Sequence, residues 1–205
     1  MKLLVASTNQ GKIAEIEACL KELPLRIVSL KNLAGYPTVV EDGSTFEENA
    51  LKKARSLADF SGLITLADDS GLEVDALHGA PGIYSARYAG EEGNDQRNNQ
   101  KLLAELKDVA EEKRSARFVC ALALCAPKSL AIADWVVRES CEGRIAFAPR
   151  GEHGFGYDPL FFYPPLGKTF GEIDRETKAT VSHRGKALKK LSAVLPSLLD
   201  LRAKP

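Results

Sequence analysis

The chain opens on a short apolar run, Lys2 to Ala6, that reads as a buried strand, followed by turn residues from Ser7 to Gly11. Apolar residues then recur at helical spacing (Ile13, Ile16, Leu20, Leu23), which predicts a helix over 12–23 that Pro24 ends. Arg26 to Leu30 reads as a second strand, and residues 31–43, with Gly35, Pro37 and Gly43, as irregular. A strong helix signal begins at Ser44. Ser44 with Glu47, or Thr45 with Glu48 in the competing frame, makes a capping box. Phe46, Ala50, Ala54 and Leu57 give the inward stripe, and Gly62 lies past the end.

Leu63 to Ala67 predicts a short apolar strand that runs directly into Asp68-Asp69-Ser70-Gly71. Leu72 to Leu77 then alternates, with Leu72, Val74 and Ala76 on one face. Ala80-Pro81-Gly82 is a turn, and residues 94–113 read as an amphipathic helix with Leu102, Leu103, Leu106 and Val109 inward. Arg117 to Ala126 and Leu130 to Glu139 are apolar on both faces, which predicts two central strands joined at Pro127-Lys128. A glycine-rich loop spans Arg150 to Pro159, and Leu160 to Tyr163 is a short aromatic strand. A last helix runs from His183 to about Leu195, with Pro196 breaking or kinking it. Strands alternating with helices point to an α/β fold with a mixed sheet, and 205 residues to one domain or one domain with two lobes.

Composition narrows the classes. Hydrophobic residues at 44% and charged residues at 27% exclude disorder, collagen and a coiled coil. Lys plus Arg and Asp plus Glu are both 28, and this balance argues against bulk binding to nucleic acid or to an anionic membrane. No C-x-x-C pair occurs among Cys19, Cys120, Cys125 and Cys141, so buried thiols are expected rather than a disulfide or zinc site. The apolar run at Leu3–Ala6 is too short for a signal peptide, and no stretch approaches a membrane span. A reducing, cytoplasmic setting is the default expectation.

Five clusters carry candidate chemistry. Ser7-Thr8-Asn9-Gln10-Gly11-Lys12 lies between a strand and a helix, where unpaired N–H groups and Lys12 suit a phosphate, or where an ordinary turn leaves the lysine solvated. In Asp68-Asp69, two adjacent carboxylates repel and a shared Mg²⁺ would relieve them, although the same residues make a good turn. Asn49 and Lys53 stack one turn apart near the inward stripe, so Lys53 either snorkels out or meets a buried anion. Gly154-Phe155-Gly156-Tyr157-Asp158-Pro159 offers two rings to stack on a base, or is a plain anchored loop. Lys178 with Ser182-His183-Arg184-Gly185 gathers donors at a helix start, to read an anion or carbonyl or to form a capping turn with exposed cations. Phosphate donors, a cation site, a stacking ring and base-edge donors together are the inventory of a nucleotide-handling enzyme.

STNQGK at 7–12, TFEENALKKAR at 45–55, LADDSGLEVDAL at 66–77, GAPGIYSARYAG at 79–90, GFGYDPLF at 154–161 and KATVSHRGKAL at 178–188 occur in that order. On these six segments the chain resembles the inosine triphosphate pyrophosphatase family over about residues 3 to 195. The resemblance implies one domain over 1–205, a mixed sheet flanked by helices in two lobes, with an active-site cleft between them. It implies a Mg²⁺-dependent homodimer that hydrolyses inosine, deoxyinosine and xanthosine triphosphates to the monophosphate and pyrophosphate, cleansing the nucleotide pool. By the same resemblance Asp69 is the catalytic carboxylate and general base, Glu41 a metal ligand with Asp69, and Asp68 a supporting acid. Ser7, Thr8, Asn9, Gln10, Gly11, Lys12 and Lys53 hold the triphosphate. Ser70 contacts substrate, Phe155, Gly156, Tyr157 and Asp158 cover the base with Phe155 stacking, and Lys178, His183 and Arg184 read its edge.

Two other functions stay open: a nucleoside triphosphate pyrophosphatase of different specificity, and a nucleotide-binding regulator without turnover. A carboxylate beside Mg²⁺ is expected to have a depressed pKa and to be a weak base. Activity is therefore expected to rise into alkaline pH.

Overall fold

The computed structural model describes residues 1–90 and 93–199. One seven-stranded sheet has the order β2-β1-β3-β4-β5-β6-β7. Its strands are β1 (Lys2–Val5), β2 (Arg26–Ser29), β3 (Ile64–Val74), β4 (Ser115–Cys125), β5 (Trp135–Ile145), β6 (Phe161–Tyr163) and β7 (Lys168–Thr169). β1 lies parallel to β2 and to β3, while β6 runs antiparallel to both β5 and β7, so the sheet is mixed. Among the described residues five α-helices accompany it: α1 (Gln10–Leu20), α2 (Phe46–Ser61), α3 (Asp95–Glu105), α4 (Arg175–Val181) and α5 (His183–Leu198).

The chain divides into two compact units. The first holds Met1–Asp69, Cys120–Glu139 and the segment from Gly185; the second holds Ser70–Val119 and Ser140–Arg184. In the first unit, Leu3 and Val5 of β1, Leu66 of β3 and Leu122 of β4 pack with Ile13 and Ile16 of α1 and with Leu188, Leu191 and Leu195 of α5. Each of these leucines, fully buried, contributes about 2 kcal/mol of transfer free energy. In the second unit, Phe118, Phe161 and Phe170 form an aromatic centre, with ring centroids of Phe118 and Phe161 4.5 Å apart. Leu72, Leu102 and Tyr157 pack around it.

Local chemistry explains the helix starts. Asn9 caps α1 by accepting the Lys12 N–H at 3.1 Å, so the helix begins at Gln10 rather than at residue 12. For α2, of the two capping frames, the Thr45 frame forms. Thr45 Oγ1 accepts the Glu48 N–H, and the Glu48 carboxylate reaches back to the N–H and hydroxyl of Ser44. Gly62 ends the helix at φ 68°, a conformation costly for residues with a Cβ.

Several expectations change. At Asp68-Asp69-Ser70-Gly71 the turn alternative does not form: β3, the neighbour of β4, runs unbroken through it, although its register with β1 reaches only Leu66. Gly71 is there for space, since a Cβ would collide with Ser85 Oγ and reach the Gly82 carbonyl at 2.5 Å. β5 begins at Trp135, five residues later than expected, and continues through alternating polar positions. The apolar residues before it form an exposed loop, with Asp134 held by Arg55 at 2.6 Å. Of these two strands, β4 is buried along nearly its whole length on both faces and β5 is not. α3 ends at Glu105, although Leu106 beyond it is still buried. α5 passes through Pro196 to Leu198, although proline has no N–H to donate there. α4 and β7, short and without apolar periodicity, were not expected. All four cysteines remain thiols. Among the described residues, no helix is long and apolar enough to cross a membrane.

Candidate active site

In the first unit the pleat of β3 separates its two carboxylates. Leu66 and Asp68 share one face, that of α1, while Asp69 turns to the face of α2. Mutual repulsion relieved by a shared cation is therefore not the logic of the pair. Asp68, 2% exposed, receives Lys12 Nζ on Oδ1 at 2.5 Å and the Cys120 thiol on Oδ2 at 3.3 Å. Lys12, whose charge the start of α1 disfavours, thus has its anion inside the protein.

Asp69, 7% exposed, has a different environment. Burial pushes its carboxyl up to about 6, against the opposing attraction of Lys53 and Lys12, and the Glu41 charge raises it further. Desolvation thus outweighs the two lysines. Asn49 lies beside Asp69 and favours its ionised form. The contact falls short of hydrogen-bond geometry at Oδ2, which has no partner among the described residues, and neither has Asn49 Nδ2. Lys53 meets Glu41 Oε1 at 2.8 Å rather than snorkelling into water. Asn49 Oδ1 takes the N–H of Gly43 at 2.8 Å and so holds the segment that carries Glu41.

Glu41 and Asp69 fit a divalent cation on two counts: a buried carboxylate oxygen without a partner, and a second carboxylate close enough to repel it. Mg²⁺ takes one or two protein carboxylates and fills its other positions with water and phosphate oxygens. No three His, Cys, Asp or Glu side chains converge on one point among the described residues. The remaining phosphate-loop residues are engaged locally. Ser7 Oγ accepts the Asn9 N–H at 3.2 Å, Gln10 Nε2 donates to the Thr8 carbonyl at 3.1 Å, and Gly11 lies within α1.

The second unit gathers the other candidates. Asp158 is 2% exposed and Lys178 5% exposed, and the two pair at 2.5 Å. The same Asp158 Oδ2 accepts the Phe155 N–H at 2.9 Å. Lys178 Nζ stands 4.7 Å and Arg184 Cζ 5.7 Å from the centre of the Phe155 ring, which is partly exposed. Arg184 Nη2 donates to Ser70 Oγ at 2.8 Å, and the His183 ring stacks on Phe118 at 4.7 Å. A capping turn with exposed cations is therefore excluded: Lys178, His183 and Arg184 are all buried. Tyr157 does not offer its ring to a base. That ring belongs to the core, burial raises its hydroxyl's pKa, and the hydroxyl donates to the Ser85 carbonyl at 2.8 Å.

Two contributors carried no sequence signal of their own. Cys120 looked like a core thiol, and only the register of β4 against β3 brings it to Asp68. Ser85 both accepts the Leu72 N–H at 2.8 Å and donates to the Gly82 carbonyl at 2.6 Å.

Comparison with known proteins identifies the family. The Ham1 family model matches residues 3–194. A dITP/XTP pyrophosphatase of Desulforamulus reducens is 50% identical over 198 residues, 97% of either chain. One from Geobacter sulfurreducens is 52% identical over 187 residues, 91% of this chain and 92% of that one. The structure of a HAM1 protein from Coxiella burnetii superposes with a TM-score of 0.87 at 42% identity, covering 96% of this chain and 99% of the other. The Staphylococcus aureus Ham1 protein gives 0.85 at 41%, with the same coverage of both chains. With the family match spanning nearly the whole chain and these relatives close to half identical, the chain belongs to the Ham1 family.

Proposed function

We propose that this chain is a nucleoside triphosphate pyrophosphatase that hydrolyses deaminated purine nucleotides, ITP, dITP and XTP, to the monophosphate and pyrophosphate. The observation that carries the proposal is Asp69: a buried carboxylate with an unsatisfied oxygen, Lys12 and Lys53 acting on it, and Glu41 beside it. Relatives about half identical over nearly their full length bear the name dITP/XTP pyrophosphatase, which supports the substrate class.

The chemistry follows from these groups. A water oxygen attacks the α-phosphorus in line, its proton passes to the Asp69 carboxylate, and the bridging oxygen leaves with pyrophosphate. Such a step needs mostly positioning and charge neutralisation. Lys12 and Lys53 supply positive charge for the triphosphate, with the turn from Ser7 to Gly11 beside them. Mg²⁺, held by Glu41 and Asp69, would acidify water and neutralise phosphate charge when bound. Asp68 sets Lys12 in place.

At the base end, Phe155 stacks on the purine, and Lys178, His183, Arg184 and Ser70 meet its polar edge. A donor aimed at O6 loses its partner when the six-position carries an amino group, and such a mismatch discriminates strongly. Arg184→Ala should thus lower discrimination between ITP and ATP as well as rate. Equal losses for both would make Arg184 a structural residue instead. Residues 1–205 are, on this proposal, one two-lobed catalytic domain. It works as a homodimer in the cytoplasm and clears deaminated purines from the nucleotide pool. These last features rest on family membership.

The test is pyrophosphate release with Mg²⁺ from ITP, XTP, ATP, GTP, dUTP and TTP, by the wild type and by Asp69→Asn. Turnover of ITP and XTP alone, lost in the variant, is expected. Comparable turnover of ATP or dUTP would move the function to another nucleotide class, and no turnover of any would leave a binding protein.

A further inference from the structure

Phe155 stands between two glycines at positive φ, Gly154 at 78° and Gly156 at 61°. A segment of this composition has no intrinsic preference for one ring direction, because glycine moves among backbone regions at little cost. Something else must hold the ring. On its N-terminal side the Phe155 N–H is fixed by Asp158, itself buried against Lys178. On its C-terminal side the grip comes from α3. Asp95 Oδ2 accepts the Gly156 N–H at 2.7 Å, and Asn99 Nδ2 donates to the Gly156 carbonyl at 2.9 Å. Asp95 and Asn99 are four residues apart, one turn of the same helix face. The start of that helix is itself secured, since Asn94 caps it by accepting the Arg97 N–H at 3.1 Å.

The geometry is more specific than two added hydrogen bonds. The Gly156 N–H belongs to the peptide plane shared with Phe155, and its carbonyl to the plane shared with Tyr157. Holding both planes fixes φ and ψ of the one residue between them. Tyr157 is anchored in turn, through its hydroxyl on the Ser85 carbonyl. The partly exposed Phe155 ring is therefore aimed by a helix whose polar face has no other assigned part in the site.

We propose that Asp95 and Asn99 are positioning residues that clamp the Gly156 peptides and so aim the Phe155 ring at the purine. The clamp can be judged by itself; its effect on substrate rests on the proposed stacking of Phe155.

Two measurements on the full chain test it. The first is hydrogen exchange of the Gly156 amide in Asp95→Ala, Asn99→Ala and Asp95→Asn. Loss of a buttressing hydrogen bond should speed exchange roughly tenfold in both alanine variants. Asp95→Asn, which keeps an acceptor oxygen, should restore most of the protection. Unchanged exchange in the alanine variants overturns the clamp, whatever the substrate proves to be. The second is steady-state kinetics with ITP. Each alanine variant should raise KM about fivefold to tenfold with kcat within about twofold, since aiming a stacking ring is a binding contribution. Introduced into Phe155→Ala, the same changes should have no further effect on KM. A KM effect that persists there, or a fall in kcat of equal size, overturns the positioning role, because the helix would then act through something other than the ring. If Phe155→Ala leaves KM for ITP unaltered, the stacking assignment fails and the aiming role fails with it. The exchange result still decides the clamp.

Discussion

The acidic group of the first unit and the aromatic-cationic group of the second are both buried and charged, yet their electrostatics differ. Around Asp69, two lysines are in place and the carboxyl is still pushed up to about 6, with one oxygen lacking a hydrogen bond. Around Asp158, one lysine at 2.5 Å and one backbone N–H meet the same oxygen of a carboxylate that is no more exposed. Burial alone therefore does not make a carboxylate reactive. What matters is whether the fold leaves a buried oxygen without a hydrogen bond, as it does at Asp69 and does not at Asp158. The first group stores an unmet demand; the second is assembled in advance.

The sharpest way to break this contrast is Asp69→Asn. Pyrophosphate release from ITP should fall by about 10²- to 10⁴-fold, the range for losing a positioned base, with the fold retained. A residual rate within tenfold of wild type would remove Asp69 from the chemistry. Lys178→Met should act in the opposite sense. It leaves Asp158 buried beside an apolar side chain, and stability in urea should drop by about 3–4 kcal/mol. A loss below about 1 kcal/mol would show the second group to be no better assembled than the first.

Acid titration of stability separates the groups at the next scale. With a chelator present, native Asp69 keeps its proton up to about pH 6, whereas in the unfolded chain it ionises near 3.8. Its contribution is thus most favourable below about pH 4 and declines as pH rises to about 6, by about 3 kcal/mol in all. Asp69→Asn should flatten that part of the profile and make the protein more stable at neutral pH. A wild-type profile with no difference from the variant between pH 4 and 6 would contradict the raised carboxyl. The smallest effect is a control on the scaffold. Thr45→Ala removes the cap of the helix carrying Asn49 and Lys53, and Asp174→Ala removes the cap of α4, which carries Lys178. Each should lower stability by about 1 kcal/mol. Markedly unequal losses would mean the contrast lies in the helices rather than in the side chains.

What could be read in advance followed the range of the forces involved. The stripe and stop of α2 and the run of β1 are local signals, and they form as expected. The unbroken course of β3 is not local. Turn-forming Asp-Asp-Ser-Gly extends within a strand whose sheet neighbours, β1 and β4, are distant in sequence, although the even-numbered run Ile64, Leu66, Leu72 and Val74 carried a hint of the period. The site divides the same way. That Asp69, Lys53 and Arg184 are candidates for chemistry was legible from their types and neighbours. That Asp68 and Asp69 face apart, that Cys120 meets one of them and that Tyr157 serves the core depend on register and packing. No window of residues contains those.

The buried thiols have a practical use. Cys120, Cys125 and Cys141 are inside and Cys19 is half-buried. Burial raises the Cys19 thiol and carries that of Cys125 up to about 12. Alkylating dyes react with thiolates, so at neutral pH the native chain should stay dark. A cysteine placed at the exposed His153 would then take a fluorophore alone, turning the glycine-rich loop into an optical reporter of nucleotide arrival without a cysteine-free background.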